Sequence, residues 1–131
     1  MSLDKFRLDG RVAIVTGGSK GLGRAMARAL AYAGADVVVT SRHQAEAQAA
    51  ADEFAVAGRR TLALAADTRD RAAVADMVRR TEQTFGKVDI LVNNAGVGAI
   101  KPAQAIDDKD FSKVIECGCC GASETAIALA Q

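Results

Sequence analysis

The sequence predicts an α/β fold, a doubly wound parallel sheet with helices on both faces. Two observations predict it. Short apolar runs of strand length alternate four times with longer runs of helical spacing, joined by short connections. That alternation is the pattern of parallel strands linked by crossover helices. A glycine-rich turn, Thr16-Gly17-Gly18-Ser19-Lys20-Gly21-Leu22-Gly23, also falls between the first apolar run and the first helical run. Strand, glycine turn and helix start come in the order a phosphate cradle needs. The first N–H groups of a helix lack intrahelical partners, and the macrodipole adds about half a positive charge there. A pyrophosphate at that point is held largely by main chain, provided side chains stay away.

The elements follow in order. Residues 1–10 are a polar lead-in closed by Asp9-Gly10. Val12 to Thr16 lacks polar/apolar alternation, as expected of a strand buried on both faces. Leu22, Ala25, Met26, Ala29, Leu30 and Ala33 then recur at spacings of three and four, a helical stripe that Gly34 ends. Asp36 to Thr40 is β-branched and continuous, the second strand. Residues 44–57 read as a helix ending at Gly58, and Thr61 to Ala66 as the third strand. Asp67-Thr68 is placed to cap a helix over 69–85 that stops at Gly86. Val88 to Val92 is the fourth strand, running into Asn93-Asn94-Ala95-Gly96. A loop with the single proline, Pro102, leads to helical spacing over 108–131. With the phosphate turn after strand one, the predicted spatial order is 3-2-1-4, with a ligand across the carboxyl ends of strands one and four.

Composition narrows the function. The 131 residues are half apolar and one quarter charged, as in an ordinary globular domain of one core. The net charge of +1 comes with no basic block, so neither nucleic acid nor an acidic membrane surface is expected as a partner. No run of apolar residues is long enough to span a bilayer, and the start carries no signal-peptide pattern, so a cytoplasmic location is expected. Cys117, Cys119 and Cys120 are an odd, clustered set, poor for disulfides and lacking the spaced partners of a zinc site. No metal site is expected, and the one histidine, His43, reads as a solvated residue at a helix start.

Four marks fall at the ends of the four strands: Thr16-Gly17-x-x-x-Gly21-x-Gly23, Thr40-Ser41-Arg42, Asp67-Thr68 and Asn93-Asn94-Ala95-Gly96. Together they resemble the cofactor half of a short-chain dehydrogenase/reductase, and the glycine and Asn-Asn-Ala-Gly motifs, about seventy residues apart, make the resemblance specific. It implies a Rossmann-type sheet binding a nicotinamide dinucleotide. Gly17, Gly21 and Gly23 would shape the turn around the pyrophosphate, with the Leu22 backbone between them. Ser19 would donate to phosphate or ribose. Asp67 would accept from the adenine amino group, with Thr68 beside it. Asn94, Ala95 and Gly96 would line the nicotinamide-side ribose, and Asn93 would brace the sheet. An acidic residue ending strand two would favour a free ribose 2′-hydroxyl. Ser41 stands there instead, followed by Arg42, and Lys20 lies opposite. Two cations without a carboxylate favour NADP(H) over NAD(H); the alternative is that both are solvated surface charges.

The sequence also departs from the family. Its chemistry, hydride transfer between nicotinamide and a carbonyl or alcohol carbon, needs a Tyr-x-x-x-Lys acid/base pair and a serine. The one tyrosine, Tyr32, has Asp36 four residues on, and is expected to be a packing residue. Gly118 stands where the family carries a relay asparagine. No catalytic residue is therefore assigned here. A small-molecule substrate is expected only if a C-terminal half is supplied. The fold is expected to be truncated after the fourth strand and its following helix, leaving a strand edge through which chains self-associate. Two other readings stay open: a catalytically inactive NADP-binding module or partner of full-length relatives, and a scaffold that binds no nucleotide.

Overall fold

Four apolar runs too short for helices become parallel strands, and the helical runs between them pack on both faces. A computed structural model describes residues 2–96 and 102–130. Its strands are β1 (Val12–Val15), β2 (Asp36–Ser41), β3 (Thr61–Ala65) and β4 (Ile90–Val92). Its helices are α1 (Gly21–Ala33), α2 (Gln44–Ala55), α3 (Arg71–Phe85), α4 (Asp108–Ile115) and α5 (Gly121–Ala130). The sheet order is β3-β2-β1-β4, all parallel, as the sequence predicts. Ile14 pairs with Val38 on one side and Leu91 on the other, so the carboxyl ends of β1, β2 and β4 lie side by side.

Alternate residues of each buried strand serve opposite cores. Ala13, Val15, Val37 and Val39 pack with Ala27 and Ala31 of α1 and with Ala50 and Phe54 of α2. Ile14, Val38 and Leu64 pack on the other face with Val74, Met77 and Val78 of α3, joined by Ala128 and Leu129 of α5. This double burial is why the strands read as continuous apolar runs.

Three local expectations are corrected. The fully buried face of α1 is Gly23, Ala27 and Ala31; of the Leu22 stripe, Leu30 packs partly buried against the same core, while Leu22 is 78% exposed. Small residues at four-residue spacing let the helix lie close to the strands, and that closeness, not side-chain size, sets its rotation. Tyr32, on the same helix, is 71% exposed and packs no core. The cap of α3 is Asp70, whose carboxylate accepts from the Ala72 and Ala73 amides at 2.9 and 3.3 Å. Asp67 and Thr68 are thereby left outside the helix.

The helix expected over 108–131 is two helices joined by a π-turn, Glu116–Cys120, in which the Gly121 amide donates to the Glu116 carbonyl five residues back. Gly118 sits within this turn, where its poor helix propensity is accommodated. Gly121 lets α5 press on the segment that follows β3: a Cβ there would lie 2.6 Å from Thr68 Oγ1. The residue stretch 97–101 of the expected loop and the side chains of Cys119 and Cys120 lie outside the description. Among the described residues, no helix is long and apolar enough to cross a membrane.

Edge strand β3 has part of its backbone closed by a side chain. Gln44 Nε2 donates to the Ala63 carbonyl at 3.1 Å, and its Oε1 accepts from the Ala65 amide at 2.9 Å. On the opposite edge, β4 pairs only with β1 among the described residues.

Candidate functional site

The glycine turn is held by bonds to both neighbouring strands. On the β2 side, the Gly18 amide donates to the Thr40 carbonyl at 3.1 Å. On the β4 side, Asn94 Nδ2 donates to the Thr16 and Gly17 carbonyls at 3.2 and 3.1 Å. Thr16 Oγ1, fully buried, accepts the Asn94 and Ala95 amides, each at 3.1 Å. Asn93, expected to brace the sheet, is exposed, and the bracing amide is that of Asn94.

Two of the glycines are required by geometry. Gly17 has φ +65°, and a Cβ on it would stand 3.0 Å from Ala95 Cα, so the turn can touch the strand β4 exit only without a side chain. A Cβ on Gly23 would overlap Asn94 Nδ2 and the Gly17 carbonyl oxygen. Lys20 precedes α1 without capping it, and among the described residues no side chain is bonded to the first amides of this helix.

Gly17, Ser19, Lys20, Ser41, Arg42, Asp67, Thr68, Ala95 and Gly96 line one cleft at the carboxyl ends of the strands. Gly21, Leu22, Gly23 and Asn94 stand outside its lining; Gly23 and Asn94 act from behind, by shaping the turn. Ser19 is 8% exposed, and its hydroxyl has no partner among the described residues. Asp67 receives the Arg69 guanidinium on both oxygens and the Arg69 amide at 3.0 Å. The Arg69 side-chain bonds hold its carboxyl down to about 2, so it is a pure acceptor near neutrality, with lone pairs left for a further donor.

Residues 11–131 match the profile of the family described as short chain dehydrogenase. The chain belongs to the short-chain dehydrogenase/reductase family. An uncharacterized oxidoreductase of Mycobacterium tuberculosis is 48% identical over 96 residues, covering 73% of this chain and 36% of that protein. A short-chain type dehydrogenase/reductase from Mycobacterium marinum superposes with a TM-score of 0.93 at 35% identity, over 99% of this chain and 53% of that one. A 7α-hydroxysteroid dehydrogenase complexed with NADH and 7-oxo glycochenodeoxycholic acid gives 0.91 at 33% identity, over 99% and 51%. The chain spans about half the length of these solved structures, and less of the curated relative.

This short-chain dehydrogenase/reductase also carries cleft residues that pattern reading missed. Glu46 lines the cleft beside Lys20 and Ser41, so the expectation of two cations without a carboxylate is corrected. Lys20 Nζ lies 2.6 Å from Glu46 Oε1, and that bond is the main reason the Glu46 carboxyl titrates below its ordinary range. Glu46 lies in the first turn of α2, and only the fold of the β2–α2 turn brings it back over Ser41. Cys117, in the π-turn and 9% exposed, closes the cleft near Thr68. His43 precedes α2, is exposed as expected, and rims the same cleft.

Proposed function

We propose that the chain binds a nicotinamide dinucleotide, NADP(H) in preference to NAD(H), as the cofactor-binding half of an oxidoreductase of this family. The observation that carries the reading is the turn at the start of α1, where Gly17 and Gly23 leave no side chain against Ala95 and Asn94, Ser19 lines the cleft and Lys20 does not cap the helix. Main-chain amides at such a point suit a diphosphate. Asp67 and Thr68 would hold adenine, and Ala95 and Gly96 the second ribose. The cleft, about 210 Å³, is smaller than the roughly 300 Å³ at which pockets for whole ligands begin. It therefore matches one part of a dinucleotide better than all of it.

Bound nicotinamide would supply hydride exchange with a carbonyl or alcohol carbon. This chain's part is to hold and orient it, since Tyr32 lies exposed on α1 and Gly118 has no side-chain amide to offer. The same two residues favour a second reading, a module that holds the nucleotide without turnover. Arg42 lines the cleft and lowers the Asp67 carboxyl through its charge, so it supports a 2′-phosphate. NADPH should bind about tenfold more tightly than NADH, one close charge pair's worth, and Arg42→Ala should erase most of that difference. Fluorescence titration of both nucleotides tests it; equal affinities, or a preference for NADH, would count against it.

We further propose self-association through β4, whose outer edge pairs with no strand among the described residues while Gln44 covers part of β3. Sedimentation should show dimers or larger species that dissociate on dilution. A monomer at all concentrations would refute it.

A further inference from the structure

We infer that Glu46 sets how strongly the cleft tells a phosphorylated ribose from a plain one, as an internal counter-ion that a 2′-phosphate must displace from Lys20. The inference rests on the dinucleotide reading and deepens it. Lys20, Ser41 and Arg42 are the side chains from which the charge pattern draws its preference for NADP(H). Two of the three are engaged by one carboxylate: Oε1 of Glu46 is 2.6 Å from Lys20 Nζ, and Oε2 accepts from Ser41 Oγ at 3.1 Å. Ser41 has a single proton to give, and its oxygen already accepts the His43 amide at 3.2 Å, which fixes the hydroxyl's direction. A phosphate therefore cannot take the Ser41 proton or the Lys20 charge while Glu46 keeps them.

The two ligands meet Glu46 with opposite consequences. A 2′-phosphate brings like charge against it and competes for both of its partners. A free 2′-hydroxyl brings a donor to an oxygen that can still accept. Arg42 makes no ion pair among the described residues and stays available to a phosphate. The Glu46 side chain is one-third exposed, so it has water to swing into when displaced. In the free chain it is kept over Lys20 by that ion pair and by its place in the first turn of α2, where the helix end favours an anion. The cleft thus offers the same residues to both cofactors, and the position of one carboxylate ranks them.

The test is the ratio of NADH to NADPH dissociation constants for the 131-residue chain, read from nicotinamide fluorescence at fixed ionic strength. Glu46→Gln should raise the ratio by about tenfold, the scale of removing one close charge pair. The rise should shrink markedly at about 0.5 M salt, where charge interactions are screened within a few ångströms. Glu46→Ala should move the ratio in the same direction, which keeps the test open if the first variant unfolds. A ratio that stays within about twofold of the parent, or falls, overturns the role of Glu46 while leaving the site in place. If neither dinucleotide binds the parent chain or the variants, the dinucleotide reading and this inference fall together.

Discussion

Gly23→Ala is expected to lower the melting temperature by roughly 10 °C and to remove measurable nucleotide binding at millimolar concentration. The added methyl would overlap the Asn94 amide and the Gly17 carbonyl, groups already hydrogen-bonded to each other at 3.1 Å. Neither is the end of a flexible side chain: one is backbone, and the other is the brace that fixes the backbone. Relief needs α1 to back away from the turn, or Asn94 to release the Thr16 and Gly17 carbonyls. Overpacking of this kind costs about 1–3 kcal/mol, and this site belongs at the upper end because no soft neighbour can yield. Binding should fail for the same reason, since the amides at the start of α1 would no longer converge. Thermal unfolding by circular dichroism with a parallel nucleotide titration checks both. A variant that melts within about 2 °C of the parent and binds normally would show that α1 does not approach the turn as described.

Thr16→Val should be the next most damaging change. Valine matches the shape of threonine, so its effect isolates the hydroxyl. Thr16 Oγ1 accepts two backbone amides from the strand β4 exit and lies beside the Val92 carbonyl at 3.3 Å. Asn94 keeps a bond from its amide to the Val92 carbonyl at 3.1 Å, but Ala95 loses its only acceptor among the described residues. A fully buried donor left unpaired costs about 1–3 kcal/mol; the Ala95 amide is part-buried beside the cleft, so with the second bond also weakened the expected loss is about 1–3 kcal/mol. Thr16→Ser retains the acceptor and should cost about 1 kcal/mol, the value of one buried methyl. Urea unfolding midpoints of the three chains decide the matter. Equal midpoints for the Val and Ser variants would mean that the hydroxyl does not tie β1 to β4.

The strand order and the position of the cleft were legible in the sequence because both rest on local signals. Runs such as Val37-Val38-Val39 cannot hide their burial on two faces, and Gly34 and Gly86 end their helices with φ of +112° and +81°. Some of what escaped depends on neighbours far along the chain, and some on a choice between near-equal local options. The rotation of α1 is set by how near Gly23 must come to Gly17 and Asn94, and hydrophobic spacing alone did not show that Leu22 turns outward while Leu30 packs. Asp70 displaced Asp67 as the cap of α3 because either aspartate satisfies the same short-range rule, and the fold holds Asp67 against Arg69. Glu46 looked like one more solvated helix residue, for its partners Lys20 and Ser41 lie on two other elements. Cys117 reaches the cleft through a π-turn that no periodicity announces.

The bracing of the glycine turn by Asn94 and Thr16 bears on how this turn can be moved between proteins. Its shape is written in two places about eighty residues apart, and neither place holds it alone. Grafting residues 16–23 onto a foreign strand would transfer a supple loop with the right letters and no fixed curvature. The portable unit is the whole four-strand stretch from Arg11 to Gly96, which is long for a motif and short for a domain.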